Sequence, residues 1–141
     1  MNNIAEMARV CNDLNISFHI ISGDDANQII SKVINFFNPE QTTEHLSISN
    51  DSNKVFTISL EHNEFTYSKK LPEDKGYVFF DLESKDKNKV FVLDNIQNIC
   101  DIMSESFGME YFLFNEQFNY LIAVNWYVIE LTDGAKKYLI T

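Results

Sequence analysis

The chain is poor in the residues that punctuate or crosslink a backbone. Its 141 residues include 4 glycines, 2 prolines and 2 cysteines. So little glycine and proline excludes a collagen-like, linker-rich or loop-dominated chain. Cys11 and Cys100 lie too far apart to form a metal motif. Each falls in an apolar helical pattern, where cysteine behaves as a small buried hydrophobe. That usage points to a reducing compartment. No apolar run approaches the roughly 18 residues that a membrane helix needs. The longest candidate, Tyr120 to Ile129, is interrupted by Asn125. The first residues lack a basic stretch followed by an apolar core, so no secretory leader is expected and the expected location is cytoplasmic. Catalytic signatures are missing as well. There is no dinucleotide fingerprint, phosphate loop, paired-histidine zinc motif or serine elbow. The expectation is a protein that is not an enzyme and carries no cofactor or metal.

Positive charge is also scarce. Eleven basic residues face 21 acidic ones, for a net charge of −10. The surplus is spread over both halves of the chain. A field of that sign disfavours direct contact with nucleic acid or an anionic membrane surface. It favours rapid encounter with a basic partner.

What is abundant is apolar and aromatic. Hydrophobic residues make up 45% and aromatics 13%, with 12 Phe and 6 Tyr. A chain of this length fits one domain, residues 1–141, and buries enough surface to need no staple. Ile4, Met7, Ala8, Cys11 and Leu14 recur at helical spacing and predict a helix over 3–14. Phe18 to Ile21 reads as a short strand. Ala26, Ile29, Ile30, Val33, Phe36 and Phe37 predict a second helix, started by Asp24 or Asp25 with Gln28 closing a capping box, and ended by Pro39. Residues 46–50 carry a weak strand signal. Residues 54–60 and 65–68, joined through Glu61-His62-Asn63-Glu64, read as a β-hairpin. Strands at 77–82 and 89–93 flank a charged tip. Asp94, with Gln97 three residues on, predicts the start of a third helix whose stripe is Ile96, Ile99, Cys100, Met103 and Phe107, stopped by Gly108. Strands follow at 110–114, 119–124 and 126–131, then a short helical turn through Ala135 and Tyr138. Asn125-Trp126 breaks the last alternation and predicts a bulge or tight bend. Trp126 reads as a core anchor ahead of an exposed interface anchor. The order predicts an α+β fold: a mostly antiparallel sheet with about three helices packed on one face, in a single layer pair.

Few residues carry legible chemistry. His19, His45 and His62 share no helical turn with one another or with a cysteine. His19 reads as a core or edge histidine and His62 as a solvated turn residue. Ser22-Gly23 precedes a helix, but Asp24 and Asp25 would repel a phosphate there, so capping is the expected role. The distributed feature is acidic. Glu61 and Glu64 flank one turn; Asp81, Glu83 and Asp86 surround the charged tip; Glu110 and Glu116 lie beside later elements. With Trp126 they form the candidate partner-binding set. Charge reversal at Asp81, Glu83 or Asp86 is expected to weaken partner binding, most at low salt.

Glu110-Tyr111-Phe112-Leu113 followed by Tyr120-Leu121-Ile122-Ala123-Val124-Asn125 resembles a pattern in immunity proteins of bacterial contact-dependent growth inhibition and polymorphic toxin systems. The resemblance spans roughly residues 77–131 and carries no catalytic residue. A histidine pair often follows the asparagine in such proteins; here Trp126 and Tyr127 stand instead. The resemblance implies an immunity protein that binds a cognate toxin, a basic nuclease in many such systems, and occludes its active site or an essential surface. A monomer or a homodimer fits that reading. Two other classes stay open: a small ligand-binding or enzymatic domain with a pocket built from scattered residues, and an acidic mimic of nucleic acid that inhibits a host nuclease.

Overall fold

The computed structural model describes residues 2–140. Helix α1 (Asn3–Leu14) matches its sequence pattern at both ends. The Asn2 side chain accepts a bond from the Ala5 amide, Ile4, Met7, Val10 and Cys11 turn inward, and Asn15 closes the helix in the left-handed region. Seven strands then form one sheet: β1 (Phe18–Ser22), β2 (Phe56–Ser59), β3 (Gly76–Phe79), β4 (Lys89–Leu93), β5 (Tyr111–Asn115), β6 (Leu121–Val124) and β7 (Val128–Leu131). Their order is β1-β4-β3-β5-β6-β7-β2. Every neighbouring pair is antiparallel. The remaining helices are α2 (Gly23–Phe37), α3 (Leu60–Asn63), α4 (Ile99–Glu105) and α5 (Asp133–Leu139). The α+β class holds.

The expected single layer pair does not. Successive residues of β4 point to opposite faces, and both sets are buried. Val90 and Val92 join Phe112, Phe114, Leu121 and Ala123 beneath Ala26, Ile30 and Val33 of α2, with Leu46 and Ile48 beside them. Phe91 and Leu93 join Leu113, Ile122 and Val124 against residues of α1, α4 and α5. Helices therefore cover both faces. The sign was present in the strands themselves. YFLFN and LIAV are buried at every position, and a strand buried on both faces reads as a continuous apolar run instead of an alternation.

Several local expectations are corrected. Residues 54–60 and 65–68 do not form a hairpin. Strand β2 pairs instead with β7, Phe56 opposite Leu131 and Ser59 opposite Val128. The Ser59 hydroxyl then accepts the His62 amide and opens α3. Tyr67–Lys70 forms a 3-10 turn, docked because the Ser68 hydroxyl donates to the Gln97 carbonyl at 2.8 Å. Residues 46–50 form no strand beyond a single bridge between Gln41 and Ser47, although Leu46 and Ile48 do point inward. Helix α2 begins one residue past Ser22, without a side-chain cap, and Asn38 in the left-handed region ends it before Pro39. Asn95, not Asp94, caps the turn that leads into α4, through its bond from the Gln97 amide. Helix α4 stops at Ser106, so Phe107 leaves the apolar stripe and is exposed.

Candidate functional site

Antiparallel order gathers chain ends. The C-terminal ends of β3 and β6 meet the N-terminal ends of β4, β5 and β7 at one end of the sheet. Asp81, Asp86, Glu110 and the β6–β7 turn are brought there from distant parts of the chain. Between them lies a depression of about 200 Å³, lined by Asn3, Glu44, Asp81, Met109, Glu110 and Trp126, among others, with no lysine or arginine.

The β6–β7 turn is shaped by one side chain. Asn125 accepts the amides of Tyr127 at 2.8 Å and Val128 at 2.9 Å through Oδ1, and its Nδ2 donates to the Leu46 carbonyl. This is a tight asparagine turn, which mimics a backbone turn. It throws the next two rings outward: Trp126 is 51% exposed and Tyr127 72%. The expectation of Trp126 as a core anchor is overturned. Its ring leans over Gly108, where an added β-carbon would lie 3.7 Å away. His45 meets Tyr127 edge-on with ring centres 5.1 Å apart. Phe107, 55% exposed, lies next to Gly108. Isolated exposed apolar residues are ordinary, whereas grouped large aromatics at one end of a fold mark contact surfaces.

The carboxylates divide by the work they do. Glu110 is not a solvated contact residue. Its side chain is 8% exposed, and it accepts from His45 Nδ1 at 2.9 Å, the Leu46 amide at 3.1 Å and the Trp126 amide at 3.1 Å. It pins two loops together. Asp86 is corrected in the same way. It is buried, and its Oδ2 accepts the Asn3 amide at 3.0 Å and the Ile4 amide at 3.4 Å. A carboxylate there satisfies donors that the first turn of α1 leaves open and complements the helix dipole. Asp81 is half-buried and accepts the amides of Glu44 and Glu83, each at 2.8 Å. Glu83 is exposed beside it. Glu61, exposed, and Glu64, half-buried, lie on and beside α3, which follows β2 at the same end of the sheet, and neither lines the depression. Burial raises the Glu64 carboxyl above its ordinary range. Glu116 is exposed in the β5–β6 turn at the opposite end of the sheet.

Sequence reasoning missed how residues 38–55 are held. That segment has almost no regular structure, yet two carboxylates from the sheet clamp it. Glu110 holds residues 45 and 46. Glu130 of β7, 7% exposed, accepts the Ile48 amide at 2.8 Å, the Ser49 amide at 3.4 Å and the Ser47 hydroxyl at 3.1 Å. The signal was a charged residue inside the apolar strand V-I-E-L, since a buried charge needs partners. Another buried carboxylate, Glu6, accepts the Phe107 amide at 2.8 Å and pairs with Arg9 at 2.9 Å. The Arg9 hydrogen bond holds the Glu6 carboxyl below its ordinary range.

The histidines do not converge. His19 is exposed on edge strand β1, His62 is exposed on α3, and His45 faces Glu110. Among the described residues no group of three or more His, Cys, Asp or Glu side chains is placed to hold a metal ion. No described helix is long and apolar enough to cross a membrane. No protein-family model matches the chain, and neither a curated protein nor a solved structure matches it.

Proposed function

We propose that the chain is a protein-binding domain whose Trp126–Tyr127 end docks onto a basic protein surface, and that this partner is a toxin which the chain neutralises as an immunity protein. One observation carries the reading. Two exposed aromatic rings are held on a hydrogen-bonded turn beside a depression walled by Glu44, Asp81 and Glu110 and free of lysine and arginine. Aromatic side chains on a rigid turn supply contact area at little entropic cost. The surrounding negative field steers a basic partner and accelerates its approach. The net charge of −10 acts in the same direction. The toxin as occupant rests on the resemblance of residues 77–131 to immunity proteins. Blocking of an active site would follow from the aromatic pair entering a basic cleft.

The test is a calorimetric titration against the protein encoded by the neighbouring reading frame, run at low and high salt. The expected result is one-to-one binding at nanomolar concentration that weakens as salt rises, with suppression of that protein's toxicity on co-expression. Absence of binding at micromolar concentration would overturn the toxin assignment. Binding without salt dependence would overturn the electrostatic part.

A further inference from the structure

The opposite end of the sheet carries a second, differently built cleft. Its volume is about 380 Å³, within the range of small-molecule sites. It lies where β5 ends, β6 begins and α5 packs back. Asp74, Asn119, Tyr120, Lys137 and Tyr138 line it, with Gly134 between them. Gly134 is required for this geometry, because a β-carbon there would run into the Asn119 carbonyl oxygen.

Hydrogen bonding orients the walls. The Asn115 amide oxygen accepts the Asn119 backbone amide at 2.8 Å, which fixes the Asn115 nitrogen as a donor. That nitrogen gives its two hydrogens to Asp74 Oδ2 at 3.1 Å and Asn119 Oδ1 at 2.7 Å. Both Asn115 hydrogens are therefore used, and the Asn119 amide nitrogen is left without a protein partner among the described residues. Lys137 lies with its ammonium 5.1 Å from the centre of the Tyr138 ring, and it has no carboxylate partner among the described residues. Tyr120 is 2% exposed, and its hydroxyl has no hydrogen-bond partner among the described residues. Burial, with Asp74 and Tyr138 close enough to act on it, keeps that phenol protonated. An unmet buried hydroxyl is costly, and a bound group that accepts its hydrogen would relieve that cost.

The available groups decide the ligand's chemistry. Lys137, the Asn119 amide, and the Tyr120 and Tyr138 hydroxyls offer donors. Asp74 keeps unused lone pairs. A bare anion would meet the Asp74 charge and a bare cation the Lys137 charge. We propose that this cleft binds a small zwitterion, a free α-amino acid, with its carboxylate toward Lys137 and the Tyr120 hydroxyl and its ammonium toward Asp74. This site is independent of the partner-binding reading and stands or falls without it.

The experiment is a calorimetric titration of the full chain with each common L-amino acid, repeated with N-acetylated and carboxy-amidated forms of the best binder. At least one free amino acid is expected to saturate with a Kd of about 1 mM or tighter. Either cap should weaken it about tenfold or more, the loss of one charge-assisted bond. Tyr120→Phe and Lys137→Met should each weaken it by a similar factor. Tyr120→Phe should leave the melting temperature unchanged or raised, since it removes an unmet hydroxyl. No saturation by any amino acid at about 10 mM would overturn the proposal. Equal binding of capped and free forms, or wild-type affinity in both variants, would overturn it as well.

Discussion

Replacing Glu110 separates a structural carboxylate from a contact carboxylate. Three donors converge on this side chain at 2.9, 3.1 and 3.1 Å. A hydrogen bond to a charged acceptor contributes about 1.5–3 kcal/mol net. Three such bonds set an upper bound that solvent reduces, because His45 is exposed and can bond water when released. The Leu46 amide has no such recourse, since Leu46 is fully buried. Counting that bond in full and the others in part, Glu110→Ala should cost about 2–4 kcal/mol. Glu110→Gln should cost about half as much. Its single oxygen can still serve the Leu46 amide, and His45 can change tautomer to accept from the new amide, but the Trp126 amide then faces a donor. The assay is urea denaturation with the slope compared between variants, since an unchanged slope assigns the loss to stability. A loss below about 0.5 kcal/mol for Glu110→Ala would place it among ordinary surface substitutions and refute the clamp. The same variants bear on binding. If Glu110 acts through the turn as well as through its charge, Glu110→Gln lowers affinity by depopulating the competent conformation and the loss persists at high salt, whereas a loss confined to low salt would leave only the charge.

Four further outcomes are expected. Glu130→Ala should cost about 2–3 kcal/mol by leaving the Ile48 and Ser49 amides unmet, and limited trypsin digestion should then cut first at Lys54. Asp86→Lys should lower the melting temperature by removing the acceptor of the Asn3 and Ile4 amides, whereas Glu83→Lys should leave it unchanged and weaken partner binding mainly at low salt; equal melting temperatures would refute the distinction. Tyr67 and Tyr111, bonded hydroxyl to hydroxyl at 2.7 Å, are held protonated well above the ordinary phenol range by burial. Their folded pKa values are raised, so their contribution is full below about pH 10 and is lost as pH rises through the folded values; a pH series of urea midpoints that stays flat above that point would contradict this. Burial pushes the Cys11 thiol up to about 12, so a thiol reagent should modify it only as fast as the native state opens; rapid labelling under native conditions would refute its burial.

How much of this could be read from the chain depends on distance in sequence. Helix α1 and strand β4 fall on the bounds their patterns predict, because an amphipathic stripe or a short apolar run is local information. Strand β2 was placed by its alternation but mispaired. Its choice between Phe65–Ser68 nearby and Val128–Leu131 far along the chain is made by tertiary packing. Helix α2 starts from Ser22, two residues before the nearer expected cap, and the cap before α4 is Asn95, one residue after Asp94, because neighbouring Ser, Asp and Asn offer competing starts. Of the candidate residues, Asp81, Glu110 and Trp126 are brought to one depression, while Glu61, Glu64 and Glu116 are not. Asp86 and Asn3 show why the carboxylates could not be sorted beforehand. A loop aspartate looks solvated until the helix that needs it arrives from 83 residues away. The bend at Asn125-Trp126 was legible because its bonds to Tyr127 and Val128 are local, whereas the anchoring of Asn125 on the Leu46 carbonyl, 79 residues distant, was not.

The most direct test of the Trp126–Tyr127 surface is a paired titration of wild type and a Trp126→Ala/Tyr127→Ala double variant against the protein encoded by the neighbouring reading frame. Both side chains are exposed, so the double variant should fold and melt as wild type does. Wild type should bind at nanomolar concentration and the variant about 30-fold or more weaker, as for hot-spot aromatics. Equal affinity in the two proteins would contradict the proposed docking surface.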